Sequence, residues 1–313
     1  MGRSFFRRLA RGFARAAGGL FVLGLGAGCG PPEAAPEGPG WTASGAGRLI
    51  EVVRLAYGTA PDEVGFNAFR DEWIDQGPMS FDVFDDQLFL LDTANRRILI
   101  RPLSEAAAGR YPETLAVPEA CWLQDLDVGP AGELGATGLP ADRPVLQVFD
   151  LCHEATRTLD LEAGRWSEPE PMAEADAFMR FGRPGAAWSA ERMADGAIRI
   201  TVRPPAGTPY ALTVEGRPLL EQAILVRAVP DGGIVEAVLR RSTETELRKA
   251  RSVGFFGTDG SLRASFRLPV ERTIVTPGRD VRFAEGALFW MAPEKDGVRL
   301  YRLYLGEGAS RLF

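Results

Sequence analysis

The chain reads as an all-β protein and, within that class, as a β-propeller. Three observations carry this reading. From residue 47 onward, apolar runs of four to seven residues alternate with Asp, Gly and Pro turns. The runs gather into sets at intervals of roughly 35–50 residues, as a repeated unit does. Helical periodicity is scarce, with 173–178 and 243–250 its best stretches. A small four-stranded sheet cannot bury both faces alone; set radially, each sheet covers the next. Some 265 residues at ~45 per blade predict six blades, and five to seven fit the same length.

The elements follow in order. Residues 49–55 form an early strand, placed to complete the last blade and lock the ring. Runs 79–84, 87–91 and 97–100 form a first set, joined by Asp85-Asp86 and by 92–96. Runs 122–128, 144–149 and 156–161 form a second, with a long insert at 129–142. Runs 186–190 and 197–203 flank Asp195-Gly196, and runs 223–229 and 234–239 flank Asp231-Gly232-Gly233. Runs 252–257 and 262–268 flank Asp259-Gly260. The chain closes with 281–283, 287–291 and 298–305 around Glu285-Gly286 and Asp296-Gly297.

Ahead of these strands lies a different kind of sequence. Arg3, Arg7, Arg8, Arg11 and Arg15 precede an apolar run that ends in Gly26-Ala27-Gly28-Cys29. The run is shorter than the ~20 apolar residues of a membrane span and is broken by glycines. It reads as a secretory signal over 1–28, and it resembles bacterial lipoprotein signals, which end in Leu-Ala-Gly-Cys or close to it. The resemblance implies a lipid on Cys29. Residues 29–46, rich in Pro, Gly and Ala, read as a disordered tether. Extended, about 17 residues reach at most ~55–60 Å. The propeller domain then occupies 47–313. The expected location is the cell envelope, outside the cytoplasm, with the membrane as a partner through the N-terminal lipid.

Composition narrows function. The net charge of −6 becomes −11 once the five arginines of 1–28 are removed. So acidic a chain repels nucleic acid. Lys249 and Lys295 are the only lysines among 36 basic residues, an arginine bias best set down to base composition of the gene. With Cys29 assigned to lipid, Cys121 and Cys152 remain as an even pair 31 positions apart. An oxidising compartment favours a disulfide between them, with two buried thiols as the alternative.

The stretch Gly77-Pro78-Met79-Ser80-Phe81-Asp82-Val83, followed by Leu88-Phe89-Leu90-Leu91-Asp92-Thr93-Ala94-Asn95-Arg96-Arg97-Ile98, resembles a blade of the NHL-type six-bladed β-propellers of bacteria. There a strand ends in Asp-x-x-Asn-x-Arg before the outer strand. The tail from Gly278 to Leu305 is similar to the last blade of secreted propellers of that kind. In such a blade Ile98 and Ile100 face one side of the sheet and Leu99 the other.

Chemistry-bearing residues are few. His153 is the only histidine, so any Ser-His-Asp or Cys-His arrangement has to use it, and a plain structural role is the expectation. No nucleophile elbow or phosphate loop occurs. Asp125 and Asp127 share one face of a strand. Propeller hydrolases of the lactonase kind hold a hard cation such as calcium with channel carboxylates, and Asp125 and Asp127 are the candidates for that role here, but no loop has calcium-binding spacing and solvated turn acids are the expectation. Glu168, Glu170, Glu174 and Asp176 read as an acidic surface loop, and Trp73, Trp122, Trp166, Trp188 and Trp290 as packing between sheets. The expected function is a non-catalytic binding or scaffold module for a protein, peptide or glycan, with no catalytic residue and no cofactor. The rival is a calcium-dependent propeller hydrolase or lactonase, and behind it a quinoprotein-like sugar dehydrogenase, for which His153 is a poor base.

Overall fold

The computed structural model describes residues 48–67, 77–182, 185–215, 219–242, 247–269 and 279–304. The signal over 1–28, Cys29, the tether to residue 46 and Trp73 lie outside the described residues.

The strands of the described residues form five antiparallel sheets. After β1 (Arg48–Ala56), blade 1 contains β2 (Ser80–Phe84), β3 (Gln87–Asp92), β4 (Arg97–Pro102) and β5 (Thr114–Ala116). Blade 2 contains β6 (Leu123–Pro130), β7 (Pro144–Asp150) and β8 (Ala155–Asp160), edged by the short β9 (Arg165–Trp166) and β10 (Glu170–Pro171). Blade 3 contains β11 (Ala187–Arg192), β12 (Ile198–Arg203) and β13 (Tyr210–Val214). Blade 4 runs β14 (Leu220–Val229), β15 (Gly232–Ser242), β16 (Leu247–Gly257) and β17 (Leu262–Arg267). Blade 5 runs β18 (Val281–Ala284), β19 (Ala287–Glu294) and β20 (Gly297–Tyr304). Its outer strand is β1 (Arg48–Ala56), which pairs with β20 from Arg48↔Tyr304 to Ala56↔Gly297. The early strand thus completes the last blade.

Local chemistry explains the tight connections. Asp85 and Asp86 both take left-handed backbone, φ 56° and 57°, and join β2 to β3 as a two-residue hairpin. Glu285 and Gly286 repeat this between β18 and β19 with φ 49° and 71°. These primed turns match the twist of the strands they connect.

Inner strands β6, β2, β18 and β14 lie side by side in that order, and β11 follows β14. Four seams between blades are dry and apolar. Blades 5 and 1 share Phe81, Val83, Leu88, Leu90 and Leu99 with Phe289, Met291 and Leu300. Blades 1 and 2 share Phe89, Leu91, Ile98 and Ile100 with Leu126, Val128, Leu146 and Val148. Blades 3 and 4 meet through Ile198, Ile200, Val202 and Leu212 against Leu225, Val235 and Ala237. Blades 4 and 5 meet through Ile234, Val253 and Phe255 against Leu288 and Trp290. The unbroken apolar run of β3 follows from this arrangement, since both of its faces meet a neighbour. Ile98 and Ile100 do face one seam while Leu99 faces the other.

The seam between blades 2 and 3 is built differently. On blade 3 its side carries Ala187, Ser189, Glu191, Arg199, Thr201 and Arg203, exposed except for a half-buried Thr201. On blade 2 the matching face is covered by two short helices. Helix α1 (Ala131–Leu134) packs Ala131 and Leu134 on Val145, and α2 (Glu174–Arg180) brings Ala177, with Phe181, onto Phe149.

Among the described residues the blade count is five, the lower end of the expected five to seven; the inserts around 129–142 and 168–182 form helices and short edge strands. One element differs from expectation. Residues 247–250 belong to β16 and are not helical; tertiary pairing with β15 overrides a weak helical pattern. Residues 173–178 do contribute to a helix, α2. Strand β13 escaped the sequence reading; Thr-Pro before it and a single alternation, Ala211 and Thr213 exposed against Leu212 and Val214 buried, is a thin signal.

Candidate functional site

The ring's axis is where a propeller enzyme holds its reactive groups, so its lining decides between the readings. Strands β2, β6 and β18 bring Ser80, Asp82, Asp125, Asp127 and Arg282 there, all buried. Arg282 is 2% exposed and binds through every nitrogen. Its Nε donates to the Phe81 carbonyl at 2.7 Å, and Nη1 to Asp127 Oδ1 at 3.1 Å. Its Nη2 lies 2.7 Å from Asp125 Oδ1 and 2.8 Å from both Ser80 Oγ and the Leu126 carbonyl.

Asp125 is saturated. Besides Arg282, Oδ1 accepts from Ser80 Oγ at 2.6 Å and from the Leu126 N–H at 2.9 Å. Oδ2 accepts from Arg279 Nε at 2.7 Å. Asp127 accepts from the Gly182 N–H at 2.8 and 3.0 Å. Gly182 has φ +92°, and a Cβ there would sit 2.7 Å from Nη1 of both Arg279 and Arg282. Only glycine lets the two guanidinium groups converge. Arg279 also donates to the Phe178 carbonyl and lies 5.2 Å from that ring's centre, which fastens α2 to the axis. Asp82 joins blades 1 and 2, its Oδ2 accepting from the Val128 N–H at 2.9 Å.

A second buried network ties blade 4 to blade 5. Arg251 Nε donates to Glu236 Oε1 at 2.7 Å, and the same guanidinium pairs with Asp280. Burial pushes the Glu236 carboxyl up, against the pull of Arg251. Burial works against the charge of Arg251, but Asp280 and Glu236 outweigh it and raise its affinity for the proton.

The structure places Asp125 and Asp127 together on the axial face of β6, and it surrounds them with arginine. This does not fit a hard cation. Calcium needs six to eight oxygens and gains from net negative charge; here each carboxylate already has a guanidinium partner. Among the described residues no group of three or more His, Cys, Asp or Glu is arranged to hold a metal.

The Cys121 and Cys152 sulfurs are bonded, with Cα atoms 5.8 Å apart. Asp150 organises this corner. Its carboxylate accepts from the N–H groups of Cys121, Trp122 and Cys152 at 2.8, 3.0 and 3.1 Å. His153 Nδ1 lies 2.9 Å from Asp150 Oδ2, with its side chain 55% exposed. Burial alone would raise the Asp150 carboxyl; the two N–H donors of Cys121 and Trp122, with the His153 ring, outweigh it and hold the carboxyl below its ordinary value. His153 therefore braces a disulfide corner, and both sulfurs beside it are joined to each other.

The Asp92, Asn95 and Arg97 pattern is a clamp. Asp92 accepts from Gly65 N–H at 2.9 Å, Asn95 Nδ2 at 2.8 Å and Arg97 Nε at 2.9 Å. Arg97 Nη2 reaches the carbonyls of Ala60 and Glu63 at 2.7 Å each. It fastens the segment that follows β1 to blade 1. The acids Glu168, Glu170, Glu174 and Asp176 are exposed. Trp188 and Trp290 are buried between blades, while Trp122 and Trp166 are half-buried.

Arg279 and Arg282 were missed by sequence reasoning. The available signal was Arg282 itself, a charge alternating with Val281 and Phe283 on an inner strand.

No family model matches the chain, and no curated protein matches it. Solved structures similar to it include hydrazine synthase of Kuenenia stuttgartiensis, at 10% identity over 78% of this chain and 68% of that one, with a TM-score of 0.30. Another is a Bacteroides fragilis protein whose name records export as an assumption, at 7% identity over 87% and 98%, TM-score 0.35. A third is a hypothetical protein from Leishmania major, at 11% identity over 83% and 92%, TM-score 0.31. Likenesses this distant carry no functional argument; the five sheets and their seams establish the propeller.

Proposed function

We propose that this chain is a non-catalytic binding module, an NHL-like propeller lipoprotein held outside the cytoplasm by a lipid on Cys29. One observation carries the non-catalytic part: Asp125 and Asp127, the acids best placed for channel chemistry, are spent on Arg279, Arg282 and the Gly182 N–H. A carboxylate so engaged serves poorly as a cation ligand or a general base. The disulfide corner and the signal-like residues 1–28 support an oxidising, extracytoplasmic setting. In sequence the proposed tether, 29–46, directly precedes β1, the strand that closes the ring.

Calorimetric titration of the full chain with calcium, alongside assays of lactone and ester turnover, tests the first part. No calcium heat and no turnover are expected. Calcium-dependent turnover would establish the hydrolase instead. Fractionation tests the anchor: Cys29→Ser is expected to move the protein from membrane to soluble fraction, and unchanged membrane attachment would refute lipidation at that residue.

A further inference from the structure

The open seam between blades 2 and 3 holds a cleft of about 580 Å³, within the range of small-ligand sites. Glu133, Gln147 and Arg180 line one wall; Gly185, Ala187 and Arg227 line the other. We infer that this cleft binds an acidic oligosaccharide, with its carboxylate on Arg180. The inference rests on the binding-module reading above and gives that module its ligand.

Arg180 is positioned by neutral groups. Its Nη2 donates to the Leu134 carbonyl at 2.6 Å and to Gln147 Oε1 at 3.1 Å. Its Nε and Nη1 make no hydrogen bond with the described residues, and no described carboxylate pairs with it. Asp127, at the edge of the same cleft, is committed to Arg282 and Gly182. An oriented guanidinium whose Nε and Nη1 are unused by the described residues is suited to a ligand carboxylate, which its planar fork matches. On the far wall the Arg227 guanidinium lies against Gly185: a Cβ on that glycine would be 3.4 Å from Nε and 3.5 Å from Cζ. The lining thus carries Arg180 and Arg227 with two acids, Glu133 and the committed Asp127.

The rest of the lining selects a sugar over a peptide. Peptide and protein interfaces are centred on aromatic or large aliphatic anchors, and Leu134 and Pro205 are the largest apolar residues in the cleft. Its polar groups are mixed donors and acceptors, as hydroxyl groups require. At the Gln147–Thr158 hydrogen bond, 3.2 Å long, the cleft adjoins a hollow of about 230 Å³ lined by Thr158, Ser167 and Trp166. That hollow offers hydroxyl partners for a second sugar unit, while the Trp166 ring itself packs into the seam with blade 1.

Calorimetry of the full chain in detergent, with trigalacturonic acid, neutral maltotriose and a triglutamate peptide as probes, tests the inference. Trigalacturonic acid is expected to bind, and maltotriose at least about tenfold more weakly for want of the charged contact. Arg180→Gln is expected to weaken trigalacturonic acid by a similar factor. Ala187→Glu, an exposed position where a carboxylate enters the cleft without touching the core, is expected to do the same and carries the test if Arg180→Gln fails to fold. Absent binding, equal binding to both folded variants, or tighter binding of triglutamate would overturn the site. Ester turnover in the same samples would count against the non-catalytic reading, whereas missing saccharide affinity without turnover would count against this cleft alone.

Discussion

Blade 3 has two faces, and they border two unlike seams. Along β12, Ile198, Ile200 and Val202 point into a dry core shared with blade 4, while Arg199, Thr201 and Arg203 point into the open seam toward blade 2. In β3 both faces are apolar, and blade 1 has a packed neighbour on each side. The contrast shows that the alternation within a strand decides how many neighbours its blade can have. A sheet with one apolar face seals one seam and leaves the other to water, to helices or to a ligand. Blade 2, left without a partner on that side, covers Val145 and Phe149 with α1 and α2.

The largest expected effect lies where the dry seams converge. Arg282→Met removes the shared partner of Asp125 and Asp127, and breaking such a buried pair costs about 3–5 kcal/mol; urea denaturation reads it, and a loss near zero would mean that the axis is held by the seams alone. Next comes the brace of blade 2. Opening the Cys121–Cys152 link, which closes a loop of sequence separation 31, is expected to cost roughly 3–4 kcal/mol on the chain-entropy account, measured as the stability difference between the chain and its Cys152→Ala variant. Ile200→Ala and Thr201→Ala then set the two seams against each other in adjacent residues. The first is expected to cost roughly 3 kcal/mol and the second about half a kcal/mol or less; equal losses would erase the distinction between a packed seam and an open one. The smallest effect is electrostatic. The folded Asp150 carboxyl sits below its ordinary value, so its contribution is complete above the unfolded-state pKa of about 3.9 and is lost as pH falls through the folded value. Asp150→Asn is therefore expected to lower stability at neutral pH and to flatten the fall in stability below about pH 4. An unchanged acid profile would show that the disulfide corner does not depend on that carboxylate.

Much of the fold was legible because its signals are local. The hairpin acids Asp85 and Asp86, the double-sided run of β3 and the pairing of an early strand with the last blade all follow from turn chemistry and alternation. The blade count was less so. Some 265 residues at ~45 per blade favoured six, whereas residues 129–142 and 168–182 go into helices, short edge strands and loops and so leave length for five. For the axial acids, the sequence showed that Asp125 and Asp127 share a face, but not that Arg282, 157 positions from Asp125, would lie against both. The Asp92-Asn95-Arg97 pattern was readable as turn chemistry, whereas its grip on Gly65, Ala60 and Glu63 was not.

By itself the sequence determined an all-β chain of short strands, which of their faces are apolar, and an N-terminal stretch of 46 residues unlike the rest. Those are short-range properties, set by the residue-by-residue balance of apolar side chains and turn formers. Only the tertiary structure decided that five sheets suffice, that one seam stays polar, and that arginine occupies the axis. Those depend on which distant groups meet when the ring closes, and a buried charge's partner is chosen by that meeting, not by its neighbours along the chain.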